Sequence, residues 1–161
     1  NLAQRSLSMI GKNCNAKVPT PLEFSAEDKA VLSLFDGLKV HTDAAMRGHE
    51  VHNYLTTVMD AVSEANRYFA AEEPWALKKE NPERMGTVLY VTAELVRQAA
   101  ILLQPVIPTG SSQLLDLLKI DPDKRYFSAL GIEYRLAPGI SLPPPQGVFP
   151  RLSIPENSAD F

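Results

Sequence analysis

The chain has 161 residues, 45% of them hydrophobic, which is enough to bury one sizeable core, and its formal net charge is −3. That balance argues against a generic nucleic-acid coat, which would be strongly basic, and no apolar run reaches the length of a bilayer crossing. The single cysteine, Cys14, excludes an internal disulfide and fits a reducing compartment, and no basic region followed by an apolar stretch marks a signal peptide.

In chain order, Leu2 to Asn13 reads as a helix, with Ala3, Leu7, Ile10 and Cys14 recurring at spacings of four and three. Asn1 and Arg5 are neighbours four apart and can project away from that apolar stripe. The segment from Asn1 to Leu22 carries Arg5, Lys12 and Lys17 and no acid, whereas acids gather at Glu23 to Asp28, at Glu72 and Glu73, and in the tail. A locally positive surface on an acidic protein suits a partner contacted at one place. The chain opens at Asn1 already in a helical pattern, which points to a piece of a longer protein.

Val18-Pro19-Thr20-Pro21 interrupts the first helix, because both prolines lack the backbone donor. Ser25 followed three residues later by Asp28 is a capping-box variant opening a helix with Val31, Leu34, Phe35 and Leu38 inward, predicted to end at Arg47-Gly48. The most regular pattern follows, from Val51 through Tyr54, Leu55, Val58, Val62 and Ala65 to Phe69. Glu73 precedes Pro74 and is pushed out of the helical region, so the helix must stop there and place Trp75 at a corner. Lys78 and Lys79 lie one turn on.

Asn81-Pro82-Glu83 combines a cap, a first-turn proline and an acid at the positive end of a helix dipole. The helix it opens runs to Leu103, is broken at Gln104-Pro105, and has an apolar face broad enough to be central. Ser111 or Ser112 can cap a shorter helix through Leu118. Lys124 to Leu130 is expected to add a turn or two of helix, and a strand pair around Tyr134 to Leu142 is the only extended pairing in view. From Leu136 to Pro155 repeated prolines enforce an extended course, with apolar residues between them that suit a strap more than a free linker. The reading is therefore an all-α, antiparallel bundle of about five helices over residues 1–119. Residues 120–161 form an appendage and strap lying on the bundle or on a neighbouring domain.

Candidate chemistry is sparse. His49-Glu50-Val51-His52 has its histidines three apart where a zincin needs four, and no glutamate stands three before a histidine as a di-metal bundle requires. His41, His49 and His52 read as surface residues, Cys14 as a small core residue, and there is no phosphate loop or nucleophile elbow. No catalytic residue, metal site or cofactor is expected in this chain. What remains is Asn1, Arg5 and Trp75: a carboxamide able to read a base edge, a planar donor fork and a stacking face, the groups that single-stranded RNA recognition uses. Lys12, Lys78 and Lys79 are candidate phosphate contacts. For a lone tryptophan in a helical domain, a core plug is the plainer alternative.

Asn1-Leu2-Ala3-Gln4-Arg5, followed by Ser8-Met9-Ile10-Gly11-Lys12-Asn13, then Ala65-Asn66-Arg67-Tyr68 leading to Pro74-Trp75-Ala76-Leu77, resembles the C-terminal anticodon-binding domain of methionyl-tRNA synthetase. The similarity runs from Asn1 to roughly Lys119, and the tail ending Gly147-Val148-Phe149-Pro150-Arg151 is similar to the bacterial form. The resemblance implies a helical bundle in which Asn1 and Arg5 read bases of the CAU anticodon of methionine tRNA while Trp75 stacks on an unpaired one. It implies a cytoplasmic parent, with ATP used in a catalytic domain of the same polypeptide toward which the tail returns; neither HIGH-like nor KMSKS-like signatures occur here. DNA and membranes are not expected partners. The rival readings are the equivalent domain of another class I synthetase and a helical protein-interaction scaffold.

Overall fold

A computed structural model of the chain describes residues 1–149. It contains six α-helices: α1 (Leu2–Asn13), α2 (Ala26–Arg47), α3 (Val51–Ala71), α4 (Pro74–Glu80), α5 (Pro82–Leu103) and α6 (Pro108–Leu117). Short 3-10 turns follow at Pro122–Lys124, Phe127–Ala129 and Ile132–Tyr134. The all-helical bundle read from the periodicity is what forms, with no strand among the described residues.

Local chemistry sets the helix starts. The Ser25 hydroxyl accepts from the Asp28 amide, and the Asp28 carboxylate accepts from the Ser25 amide, completing the capping box of α2. The Asn81 side chain accepts from the Arg84 amide at 3.0 Å, and Pro82 fills the first helical position of α5.

Four expectations need correction. Leu34, expected inward on α2, is exposed, and Leu32 takes a buried place on that helix instead. α6 begins at Pro108, because the ring fixes the backbone angle that a first helical residue needs; Ser111 therefore lies inside the helix, fully buried, and caps nothing. Of the helix expected over residues 124–130 only the 3-10 turn Phe127–Ala129 forms, separated from the preceding turn Pro122–Lys124 because Tyr126 between them is extended. Residues 139–142 do not pair with a strand of their own segment. They reach back to the loop after α1, with Val18 N–H donating to Ile140 O at 2.9 Å and Leu142 N–H to Ala16 O at 2.7 Å. The prolines at 138 and 143–145 deny a hairpin its donors.

α5 is the axis of the bundle, packed against α1, α2, α3, α4 and α6. Every residue from Thr87 to Gln98 is buried, so that stretch of the helix has no solvent face. It is long and apolar enough to cross a membrane by length and composition, but 83% of its apolar window lies inside the bundle. Its polar residues must then find partners within the protein. The buried Glu94 carboxylate accepts from Arg97 at 2.7 and 2.9 Å, from Gln98 at 3.0 Å and from the Leu136 amide at 3.0 Å, while Arg97 donates to Ala129 O at 2.8 Å. Leu130, Leu136 and Leu142 join the same core as the helices, so residues 129–142 are tied to α5 by polar and apolar contacts alike. Phe149 lies against α6 at Gly110, where a Cβ would come within 2.7 Å of its ring. The expected course of the tail beyond Phe149 falls outside the described residues.

A second polar cluster, centred on the buried Asp28, joins α2, α3 and the start of α5. Asp28 accepts from both terminal nitrogens of Arg84, at 2.5 and 3.0 Å, and from the Tyr68 hydroxyl at 2.5 Å. Arg84 also donates to Glu72 at 2.7 Å. Burial alone would push the Asp28 carboxyl up, but the hydrogen bonds from Arg84, Tyr68 and the Ser25 amide outweigh it and hold the group below its ordinary range. A depressed carboxylate stabilises the fold above the pKa of the unfolded chain and loses that contribution as pH falls through the folded value. Asp28→Asn should therefore cost about 3 kcal/mol at pH 7, the low end for breaking a buried pair because Arg84 keeps Glu72. In urea melts the gap between wild type and variant should close as the pH is lowered below the ordinary carboxylate range; a gap independent of pH would mean that the ion pair does not carry it.

Candidate nucleic-acid interface

The interface begins with a backbone constraint. α3 ends at Ala71, Glu72 caps it, and Glu73 adopts the left-handed conformation with φ 42° before Pro74. The proline forbids Glu73 from continuing the helix, and a left-handed residue there turns the chain back sharply. Pro74 is buried at the first position of α4, and Leu77 packs on the core one turn later. Trp75, between them, is delivered back against α3.

There its ring meets the edge of Phe69, with centroids 6.0 Å apart and an interplanar angle of 62°. Phe69 is 1% exposed and forms a floor, whereas Trp75 is 45% exposed. The indole is thus neither a core plug nor fully solvated.

α1 supplies the cation. Its apolar stripe, Leu2, Leu7 and Ile10, is buried, which turns Asn1, Arg5 and Lys12 outward. The Arg5 guanidinium carbon lies 5.0 Å from the Phe69 ring centroid and 5.4 Å from that of Trp75. Both distances fall within cation–π range, an attraction worth about 0.5–1 kcal/mol at an exposed site. Arg67, Arg84, Arg97, Arg125 and Arg135 each hold a carboxylate. Among the described residues Arg5 holds none, so its planar face is fixed while its N–H donors stay available to a ligand.

Arg5 and Trp75 are therefore in mutual contact, although 70 positions separate them in the chain. Asn1 sits one turn before Arg5, exposed, and its side chain makes no cap hydrogen bond, leaving the carboxamide uncommitted. It borders an adjacent groove of about 630 Å³, apolar in its floor, in which the other carboxamides of Gln4, Asn66 and Gln146 also take part. Lys78 and Lys79 are exposed on α4, three and four residues after Trp75, on the same side of that short helix. Lys12 is exposed at the far end of α1, about 10 Å along the axis from Arg5, and stands apart from the platform.

Two contributors escaped the sequence reading. Phe69 registers there only as the last apolar residue of α3, and Glu72 only as part of an acidic pair. Both owe their roles to contacts across the corner, which no local spacing records. His41, His49 and His52 are exposed, and no cluster of metal-ligating side chains occurs among the described residues. Burial raises the half-buried Cys14 thiol, which disfavours the reactive thiolate.

Fold and site together define a helical domain with one face that gathers a cation, carboxamides and an aromatic ring. The family model described as the anticodon binding domain of methionyl tRNA ligase matches residues 18–160, and the chain belongs to that family. The methionine–tRNA ligase of Mesorhizobium japonicum is 52% identical over 151 residues, which is 94% of this chain and 29% of that protein. The ligase of Mycobacterium tuberculosis is 45% identical over 160 residues, 97% of this chain and 30% of the relative. A crystal structure of apo Mycobacterium tuberculosis methionyl-tRNA synthetase superposes with a TM-score of 0.91 at 45% identity, covering 96% of this chain and 32% of that one. The chain thus spans less than a third of the length of these relatives. Trp75, Lys78 and Lys79 fall inside the stretch matched by the family model; Asn1, Arg5 and Lys12 precede it.

Because Trp75 is the only tryptophan, its emission reports the platform directly. Acrylamide, a neutral quencher, should quench the chain to a degree between a free and a sealed indole, and Arg5→Ala should quench more strongly because the guanidinium no longer covers the ring. Quenching as weak as that of a sealed indole would place the ring in the core.

Proposed function

We propose that this chain is the anticodon-recognition module of a methionine–tRNA ligase and that its working face reads the CAU anticodon of methionine tRNA. The observation that carries the reading is the Arg5 guanidinium held over Phe69 and the half-exposed Trp75 with no carboxylate of its own. Single-stranded RNA is recognised by splaying bases onto aromatic and guanidinium planes and reading their edges with hydrogen bonds. In this reading an unpaired base stacks on the free part of Trp75, while Arg5 and Asn1 supply donors and an acceptor to base edges. The two rings hold the guanidinium in place beforehand, so less side-chain freedom is lost when RNA binds.

The same polypeptide would carry the catalytic domain, where ATP and methionine are consumed; this chain uses neither and needs no cofactor. The parent enzyme works in the cytoplasm on tRNA, and neither DNA nor a membrane is its partner. The C-terminal strap returns toward the catalytic domain. Family membership favours methionine tRNA over the tRNA of another class I synthetase. The contact between Arg5 and Trp75 favours RNA over a scaffold in which those residues do no more than solvate a helix end.

Stacking of a base on an aromatic side chain is worth about 1–3 kcal/mol, so Trp75→Ala in the full-length ligase should lower kcat/KM for tRNA charging about fivefold or more. Methionine activation, read by pyrophosphate exchange, should be unchanged. Equal charging by variant and wild type would overturn the proposal.

Lys78, Lys79 and, further off, Lys12 are proposed as phosphate contacts. Each phosphate neutralised on a single strand contributes roughly 0.7 to the slope of log affinity against log salt concentration. Replacing Lys78 and Lys79 together with alanine should flatten that slope by about 1.4 in tRNA titrations, by the same counterion-release rule. An unchanged slope would remove them from the interface.

A further inference from the structure

Trp75 is useful only if the corner beneath it is held still, and the corner contains a feature that resists this. Glu73 is a residue with a side chain at φ 42°, a conformation that non-glycine residues keep only when their surroundings over-determine it. Three contacts hold it here. Pro74 is buried, Leu77 packs on the core, and the Glu72 carboxylate is gripped by Arg84 at 2.7 Å. The first two belong to α4, the element that carries Trp75. The third comes from a different element: Arg84 is in the first turn of α5 and is itself clamped by both oxygens of Asp28 on α2. The Asp28 carboxylate also receives the Tyr68 hydroxyl, and Tyr68 adjoins Phe69, the floor of the platform. One ionic cluster, centred on the buried Asp28 and reaching the partly exposed Arg84 and Glu72, therefore fixes the chain on both sides of the working face, next to Phe69 and three residues before Trp75.

We infer that Glu72 is a positioning residue for anticodon binding, whose ion pair with Arg84 locks the Glu73–Pro74 corner and thereby presents Trp75 in its base-stacking orientation. The inference rests on the anticodon-recognition reading and adds to it a residue that touches no RNA. Glu72 is the informative position because its removal spares the pair between Arg84 and Asp28, on which α2 and α5 depend. Glu72→Gln keeps a carbonyl oxygen able to accept from Arg84, and Glu72→Ala keeps nothing.

In the full-length ligase, Glu72→Ala should raise KM for tRNA about two- to tenfold, the cost of immobilising one large side chain on binding, with kcat for charging and methionine activation unchanged. Glu72→Gln should fall between alanine and wild type. In the 161-residue chain, where Trp75 is the only tryptophan, the alanine variant should show lower emission anisotropy and stronger acrylamide quenching. A core variant remote from the corner, Leu118→Ala, should cost at least as much thermal stability yet leave KM and the Trp75 signals as they are.

Unchanged KM and unchanged quenching in Glu72→Ala, alongside impaired charging by Trp75→Ala, would overturn the inference and leave the anticodon reading standing. An equal rise in KM for Leu118→Ala would overturn it too, by showing a general effect of instability. If Trp75→Ala charges normally, the anticodon reading falls, and the anisotropy and quenching of Glu72→Ala alone decide whether Glu72 holds the ring.

Discussion

The Asp28 carboxylate has no access to water, and both of its oxygens are filled by protein donors: the fork of Arg84, the hydroxyl of Tyr68 and the amide of Ser25. A charge taken out of water in this way is tolerable only when every lone pair is matched, so the three elements that supply the donors must arrive together. The start of α2, the end of α3 and the start of α5 are held at one point as a result. That point lies directly behind the corner that carries Trp75. The ionic pairing is thus both a requirement of the fold and the mounting of the corner that carries Trp75.

The face itself is assembled from parts that are weak alone. An arginine over an aromatic ring gains little in water, an edge-on aromatic pair adds a similar increment, and an uncommitted asparagine adds none. Their value lies in being pre-arranged. Arg5 is aimed because the opposite stripe of α1 is buried in the core, and Trp75 is aimed because a proline forces the chain to double back. Two rigid elements converge, and the groups between them need little rearrangement to meet a ligand.

Much of this was legible in the sequence. The period of three and four located α1, α2, α3 and α5 to within a residue or two, and the capping box at Ser25 and the Asn81-Pro82 start both form as read. Pro74 announced the corner, and the apolar breadth of α5 announced its central place. What could not be read was pairing at a distance. The spacing of Glu94, Arg97 and Gln98 looks like an interruption of an apolar run, yet these side chains hydrogen-bond to one another, and Glu94 and Arg97 also bond the later backbone at Leu136 and Ala129. Asp28 reads as a cap and Glu72 as half of an acidic pair; both are parts of one cluster because α5 brings Arg84 to them. Ser111 misled because a serine near a helix start resembles a cap, while the proline three residues earlier sets the actual start. The contact of Arg5 with Trp75 followed from resemblance alone, since nothing in the 69 intervening positions encodes it locally.

The way α5 satisfies its inner charges also bears on where this polypeptide can be shortened. Arg97 and Glu94 look to Ala129 and Leu136 for two of their partners, so the segment after the last helix completes the interior of the bundle. A version trimmed just past α6 would keep every α-helix yet leave the paired Glu94 and Arg97 each short of one buried partner at the centre of the bundle. The natural cutting point, judged by unmet polarity more than by secondary structure, lies beyond Leu142, where the last of these buried obligations has been discharged.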